Sequence, residues 1–330
     1  MSGTTASILP FADLDPARVV NAIEAAGIYV GSEPFALNSY ENRVFAFRDD
    51  DGGRWVAKFY RPGRWSDAAI ADEHELLSAL AASHVRVGDV WRNAEGHSLF
   101  HVEGQRLALF PQVAGRSPEL DDPAQLFALG QAIGQLHVAT SRHALPHRPR
   151  FDAVSLCQQS RDAVLASGRL KGQLKADYAT VTAKLITTIE GLALPAVNSI
   201  VVHGDCHIGN ILGLGEEFAL VDFDDCTTAP AVQDLWMLLG SNNEQEWRVE
   251  LAELLEGYEE YREFDRGELQ WIELLRTARL MRHSAWILAR WDDPAFPRAF
   301  PWLENEEYWH DHIRSLDAQR MALGSPRWLA

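Results

Sequence analysis

The sequence predicts an α+β protein of two lobes. Short alternating strands and hairpin signals crowd residues 1–111, while helical periodicity dominates residues 112–330. A few short strand patterns between about 199 and 224 interrupt the helical part as a small β insertion. The result is a small antiparallel N-terminal lobe joined at 111/112 to a larger, mostly helical one. A chain of 330 residues fits that size, at roughly 150 residues per domain. The crevice between two such lobes is the natural place for a ligand.

The elements follow in order. Asp15-Pro16 reads as a helix cap with proline in the first turn, Val19, Val20, Ile23 and Ala26 recur at helical spacing, and Gly27 ends the helix. GIYVGSEPFALNSYENRVFAF reads as strand, polar loop at Leu37–Asn42, and strand. RVFAFR then meets RWVAKFY across Asp49-Asp50-Asp51-Gly52-Gly53, a strong hairpin signal. Residues 66–83 carry a helical pattern with Leu76, Leu77 and Leu80, and SLFHVEG with QRLALFPQV makes a further hairpin. Beyond Pro111, Asp122-Pro123 starts a helix with Phe127, Ile133 and Leu136, and residues 173–191 form another. SIVVHGD, NILGLG and EFALVDF are short strands, and from Pro230 onward the pattern is mainly helical, with a long stretch from about Glu268 to Trp291.

Composition narrows the class. The chain is 47% hydrophobic and 23% charged, which excludes a disordered, collagenous or coiled-coil protein. A net charge of −17 repels nucleic acid and anionic lipid, so neither is an expected partner. It leaves room for a phosphate ligand in a local pocket. Three cysteines without a CxxC pair suit a reducing compartment. The opening MSGTTASILPFADLDP has no basic residue and no apolar core, and no apolar run reaches the about 20 residues that span a bilayer. A soluble, cytoplasmic protein is the expectation.

VVHGDCHIGNIL is the most informative segment. His203-Gly204-Asp205 follows a strand, Asn210 comes five positions after Asp205, and Asp222-Phe223-Asp224 comes twelve after Asn210. Phosphoryl transfer needs a carboxylate at the acceptor hydroxyl and oxygen ligands that hold Mg²⁺ against the phosphates of ATP. A protein-kinase catalytic set has this order and spacing, with Asp205 as base and Asn210 and Asp222 as metal ligands. The same letters also contain His203, Asp205, Cys206 and His207, a possible hydrolase metal cluster, but that reading leaves Asn210 and Asp222 unexplained. His203 more simply shapes the loop, and Cys206 packs as a small apolar group.

Lys58 is the second signal. The chain has four lysines against 26 arginines, and Lys58 is the only lysine before residue 171. It lies mid-strand in Trp55-Val56-Ala57-Lys58-Phe59-Tyr60, where a kinase needs a compact ammonium for the α- and β-phosphates. Its carboxylate partner comes from the next helix. Among Asp72, Glu73 and Glu75, Glu73 shares the inward face of the apolar stripe, whereas Glu75 faces water. No glycine-rich loop precedes the strand. Ala36-Leu37-Asn38-Ser39-Tyr40-Glu41-Asn42 stands there, with Ser39 and backbone N–H groups as candidate phosphate contacts. Asp234, in PAVQDLWMLLG, opens an apolar helix and either caps it or binds N–H groups of the catalytic loop. The aromatic run from Trp286 to Trp302 reads as core, with an acceptor-site wall as the alternative.

HGDxHxGN with a following DFD resembles the aminoglycoside-phosphotransferase and choline-kinase superfamily. LNSYENRVF, VAKFYRPGRW, VVHGDCHIGNIL, PAVQDLWMLL and RWDDPAFPRAFPWL resemble, over nearly the whole chain, the bacterial stress response kinase A (RdoA-type) family. That resemblance implies a protein-kinase-like bilobal fold, with a nucleotide-binding lobe at 1–111 and a catalytic and substrate lobe at 112–330. It implies a cytoplasmic, ATP- and Mg²⁺-dependent Ser/Thr protein kinase of the envelope or oxidative stress response. By motif, Asp205 is the proton acceptor, Asn210 and Asp222 bind Mg²⁺, Ser39 lies at the ATP site, and Lys58 and Glu73 form the ion pair. The expected partner is a protein substrate, the chain itself included, and the expected state is a monomer.

Against ordinary protein kinases, HGD replaces HRD, Asp222-Phe223-Asp224 replaces DFG, and the stretch from Asp224 to Pro230 leaves little room for an activation loop. Two alternatives share the catalytic set or the shape. One is a small-molecule kinase acting on an aminoglycoside-, choline- or homoserine-like hydroxyl. The other is a kinase-shaped binding module without turnover.

Overall fold

The computed structural model describes residues 10–215, 217–240 and 244–325; the reading of the opening segment falls partly on residues outside these. The elements run α1 (Pro16–Ala26), β1 (Phe35–Ala36), β2 (Arg43–Arg48), β3 (Arg54–Phe59), α2 (Asp67–Ala82), β4 (Phe100–Val102), β5 (Gln105–Pro111), α3 (Pro123–Thr140), α4 (Ala153–Ala166) and α5 (Gly172–Glu190). There follow β6 (Ile200–Val202), β7 (Ile211–Leu214), β8 (Glu217–Leu220), β9 (Thr227–Ala229), α6 (Glu244–Glu259), α7 (Ile272–Leu288), α8 (Ala295–Ala299) and α9 (Glu306–Leu323). The α+β class is as expected. Among the described residues no helix is long and apolar enough to cross a membrane.

Contacts divide the chain into two compact units, Met1–Arg150 with Ser199–Phe264, and Phe151–Asn198 with Asp265–Ala330. This division differs from the lobe boundary expected at 111/112. Helix α3 packs on α2, on α6 and on β6 and β8, which draws 112–150 and 199–264 into the first unit.

In the first unit a five-stranded antiparallel sheet runs β1-β2-β3-β5-β4. Alternation along β3 sorts its side chains. Ala57 and Phe59 join the core that α1 closes with Val19, Ala22, Ile23 and Ala26, where Asp15 caps the helix and Gly27 ends it at φ 114°. Lys58 and Tyr60 therefore point to the opposite face, toward α2, where Tyr60 packs with Ile70, Val90 and Ala108. The hairpin before β3 closes on Asp49, which accepts from Gly53 N at 2.6 Å and Trp55 Nε1 at 2.6 Å. The strand expected over residues 28–36 shrinks to Phe35–Ala36 and a bridge at Val30. Pro34 has no N–H to offer a ladder, and the Ser32 hydroxyl takes the Arg48 N–H at 2.9 Å instead.

Two short antiparallel pairs, β6 with β9 and β7 with β8, carry the loops of the site. Beneath them α3 and α6 pack very closely. A Cβ added at Gly130 would lie 2.0 Å from Leu254 O, and one at Gly257 1.9 Å from Phe127 O, so only glycine permits this approach. In the second unit α4 packs on α5 and α7, and α9 on α5 and α7. There Tyr178 is buried against the rings of Trp309 and His312. The aromatic run is in part core, since Phe296 is fully buried against Trp286 and Phe300. Helix α4 and strand β9 are additions to the elements expected.

One buried group sets an acid limit. His74 of α2 lies between the Tyr60 hydroxyl, 2.9 Å from Nε2, and Ser98 Oγ, 2.8 Å from Nδ1. Burial, with the charges of Lys58, Arg92 and Arg148, pulls its pKa from 6.5 to about 3. The fold keeps it neutral while the unfolded chain protonates it, so its contribution is complete above about pH 6.5 and is lost as pH falls toward 3. We expect stability to fall below pH 6.5 with about 1.4 kcal/mol per pH unit from this residue. In His74→Gln that slope should be shallower, as read from urea midpoints at about pH 7 and pH 5.

Candidate active site

The loop that carries Asp205 is held from below by one carboxylate. Asp234 is fully buried and accepts from His203 N at 2.7 Å and Gly204 N at 2.9 Å. Gln233 Nε2 donates to Gly204 O at 2.9 Å. His137 of α3 donates from Nε2 to Asp234 at 3.0 Å, and its Nδ1 accepts from the Tyr258 hydroxyl of α6 at 3.0 Å. Of the two roles read for Asp234, the structure shows the binding of loop N–H groups. It does not open a helix: Ala231–Asp234 and Trp236–Leu238 are two short 3-10 turns. A buried carboxylate needs every one of these donors, and the loop supplies the nearest ones.

His203 is buried, and its ring takes both loop contacts. Nε2 donates to Val221 O at 2.9 Å, which leaves Nδ1 to accept from Asp205 N at 3.3 Å. Gly204 turns the chain at φ 86°, and a Cβ there would lie 2.1 Å from Asp225 O. The turn presents Asp205 with its side chain 26% exposed, 3.4 Å from His207 Nε2. Asn210 Nδ2 donates to Asp205 O at 3.0 Å, and Asn210 O accepts from Val221 N at 3.0 Å. Asn210 thus ties the loop that carries Asp205 to the residue before Asp222. Asp222 sits in the left-handed region, φ 61° and ψ 69°, with its carboxylate 48% exposed.

Lys58 and Glu73 meet as expected, 3.0 Å apart. The ammonium is also 3.1 Å from Asp222 Oδ1 and 3.2 Å from Asp224 Oδ1, and lies 5.0 Å above the Tyr60 ring. Burial alone would lower the Lys58 pKa, but Asp224, Glu73 and Asp222 outweigh it and hold it well above the usual value. Burial likewise pushes the Glu73 carboxyl up, against the pull of Lys58. Glu75 is exposed and pairs with Arg92 at 2.8 Å, the water-facing position expected of it. The Ser39 hydroxyl donates within its own loop, to Asn42 O at 3.3 Å.

Two arginines join this site that sequence reasoning did not single out. Arg148 is buried and donates from NH2 to Glu73 Oε2 at 3.0 Å, from Nε to Ala69 O at 2.8 Å and from NH1 to Asp224 O at 2.7 Å. Its guanidinium also lies 4.7 Å above the Trp65 ring. Arg64 NH1 is 2.6 Å from Asp224 Oδ2, and its NH2 donates to Asp225 Oδ1 at 2.9 Å. The contacts of Asp224 with Lys58 and Arg64 are short ion pairs that lie off the hydrogen-bonding directions. Burial would raise the Asp224 pKa, but Lys58 and Arg64 hold it below the carboxylate range. Arg64 carried a usable signal, since YRPGRW directly follows the lysine strand. Arg148 carried none, because its partners are 75 or more positions away.

The donor chemistry separates the two metal readings. His203 spends both ring nitrogens on the loop, and burial pushes the Cys206 thiol well up, so these two offer a metal no ligand and only Asp205 and His207 of that cluster remain. Among the described residues no group of three or more His, Cys, Asp or Glu could hold a metal. The Asn210 amide oxygen and the accessible Asp222 carboxylate are hard oxygen donors, the type Mg²⁺ accepts. We expect Arg148→Met to destabilise the protein by about 3–5 kcal/mol in chemical denaturation, because it strips a buried carboxylate of one of its two cations.

Comparison with known proteins gives the chain's family and fold. The model of the phosphotransferase enzyme family matches residues 34–274. Stress response kinase A of Escherichia coli strain K12 is 38% identical over 322 residues, covering 97% of each chain. The Salmonella typhimurium strain LT2 protein named serine/threonine protein kinase RdoA is 37% identical over 316 residues, 96% of this chain and 95% of its own. Among solved structures, amicoumacin kinase hAmiN in complex with AMP-PNP, Ca²⁺ and Ami superposes with a TM-score of 0.70 at 20% identity, over 95% of both chains. A microcompartment-associated aminopropanol kinase gives 0.69 at 18% identity, over 96% of this chain and 99% of its own. At those identities the structures show a shared fold, and the curated relatives carry the assignment further. With the family model spanning most of its length and curated relatives covering nearly all of it, the chain belongs to the phosphotransferase enzyme family and, within it, to the stress response kinases A.

Proposed function

We propose that the chain is an ATP- and Mg²⁺-dependent kinase of the cytoplasm that phosphorylates a serine or threonine hydroxyl of a protein during stress. The observation that carries the kinase reading is that Lys58 of β3 lies 3.0 Å from Glu73 of α2 and 3.1 Å from Asp222, whose turn is linked through Asn210 to the Asp205 loop. Asp205 receives the proton of the acceptor hydroxyl as its oxygen bonds the γ-phosphorus, and the bond to the β–γ bridging oxygen breaks to release ADP. Asp234 and His203 keep that carboxylate presented by fixing the loop on either side of Gly204. Asn210 and Asp222 would hold Mg²⁺, which neutralises phosphate charge when bound. Lys58 reaches the α- and β-phosphates from β3, oriented by Glu73, and the loop carrying Ser39 lies at the ATP site.

The protein acceptor is supported by a relative named as a serine/threonine protein kinase, and the stress role by the names of the others. Three buried free thiols suit the cytoplasm. A small hydroxylated acceptor is the second reading, favoured by fold neighbours that include an amicoumacin kinase and an aminopropanol kinase.

Asp205→Asn should keep ATP binding and lose about 10²–10⁴-fold in rate, the usual size of general-base catalysis. Unchanged turnover would remove Asp205 from the mechanism. Asp222→Ala should abolish Mg²⁺-dependent nucleotide binding, measured by titration with a fluorescent ATP analogue. Retained binding would mean that the metal ligands lie elsewhere. Incubation with γ-labelled ATP, Mg²⁺ and a generic basic protein should label protein, and Asp205→Asn should not. ATP consumption only on adding a small hydroxylated cation, with no protein labelled, would favour the second reading.

A further inference from the structure

We propose that Arg64 is a positioning residue for phosphoryl transfer, a guanidinium that couples the loop at 38–42 to the turn at 222–225. The proposal rests on the reading of that loop as nucleotide-facing and of Asp222 as a metal ligand.

A glycine-rich loop lets backbone N–H groups approach phosphates because it has no side chains in the way. Loop 38–42 contains no glycine and is built differently. Its carbonyls are held by arginines: Tyr40 O accepts from Arg61 NH2 at 3.1 Å and Arg43 NH1 at 3.3 Å, and Glu41 O accepts from Arg61 Nε at 2.7 Å. The Asn42 side chain accepts from Arg61 N at 3.0 Å. A loop whose carbonyls are fixed in this way has fixed N–H directions too, since the two alternate along a chain.

Arg64 extends the anchoring to the other side of the site. Arg61-Pro62-Gly63-Arg64 is a tight turn with Gly63 at φ 79° and Arg64 N 3.5 Å from Arg61 O. Its two arginines both reach Glu41, Arg61 Nε at 3.3 Å from Oε1 and Arg64 NH1 at 3.3 Å from Oε2. From there Arg64 contacts Asp224 at 2.6 Å and Asp225 at 2.9 Å, and Asp224 is 3.2 Å from Lys58. One chain of charges thus runs from the loop through Glu41, Arg64 and Asp224 to Lys58. The Arg64 side chain is only 12% exposed, so water screens these contacts weakly. The forked, planar guanidinium is what allows three carboxylates to be held at once, and a lysine ammonium lacks that geometry. The turn also needs such support because Asp222 adopts a left-handed conformation uncommon for a residue with a side chain.

The test is a kinetic cycle that cuts each leg separately. Glu41→Gln loosens the loop leg and Asp225→Asn the turn leg, and both should raise KM for Mg²⁺-ATP with a smaller effect on kcat. Arg64→Met should raise that KM by about 10- to 100-fold, the scale of a misplacement of about 1 Å. Arg64→Lys should recover part of the loss. Coupling through Arg64 requires that the Glu41→Gln/Asp225→Asn double variant lose less than the product of the single losses. Independent effects that multiply, or an Arg64→Met enzyme with unchanged KM, would overturn the proposal. Should Arg64→Met fail to fold in a thermal melt, the two single-leg variants and their cycle decide alone. Asp205→Asn serves as control: full activity there would refute the underlying site reading, whereas the cycle reports on the nucleotide side.

Discussion

An ammonium ion is carried into the protein on β3, and much of the site follows from having to keep it there. An unpaired charge in that place would cost several kcal/mol, so Lys58 must be met by carboxylates. Glu73 comes from α2, and Asp222 and Asp224 come from the turn after β8, some 164 positions away. Two of these carboxylates are in turn paired with arginines, Glu73 with Arg148 and Asp224 with Arg64. Charge pairing thereby links the sheet, helix α2 and the turn after β8, beside the apolar contact of Tyr60 with Ile70.

The same pairing explains why the turn lacks the usual small residue. Asp224 stands where DFG has glycine, and its carboxylate is the point at which Lys58 and Arg64 meet. Arg148 binds the backbone of the turn through the carbonyl of Asp224 and the side chain of Glu73 through its second oxygen. Directly beyond, Thr227–Ala229 is already strand β9, paired with β6. A segment so tightly enclosed has no long loop to order by phosphorylation, and the absence of an arginine beside Asp205 fits that.

The loop that carries Asp205 depends on a further buried carboxylate. Asp234 binds two consecutive loop N–H groups and is itself held by His137, which in turn takes the Tyr258 hydroxyl. The close glycine contact of α3 and α6 brings His137 and Tyr258 to this meeting. The packing of two helices thus bears on the position of Asp205 through three hydrogen-bonded side chains.

What the residues alone determined was local and periodic. The strand pattern placed Lys58 mid-strand, helical spacing turned Glu73 inward and Glu75 outward, and Asp15-Pro16 and Asp122-Pro123 marked helix starts that the structure keeps. The order Asp205, Asn210, Asp222 was legible because it lies within one strand–loop–hairpin unit. Helix α4 escaped notice because its apolar positions are sparse, with Ala153, Cys157, Ser160 and Val164 on the buried face. Strand β9 escaped because three residues carry too short a pattern, and Asp234 was given a helix because its apolar neighbours do not reveal how the backbone turns. The role of Arg148 was decided by tertiary structure alone, and so was the choice of the turn carboxylates that Arg64 meets. Charge pairing acts through space between groups 75 to 161 positions apart, and no spacing rule along the chain encodes which carboxylate an arginine will meet.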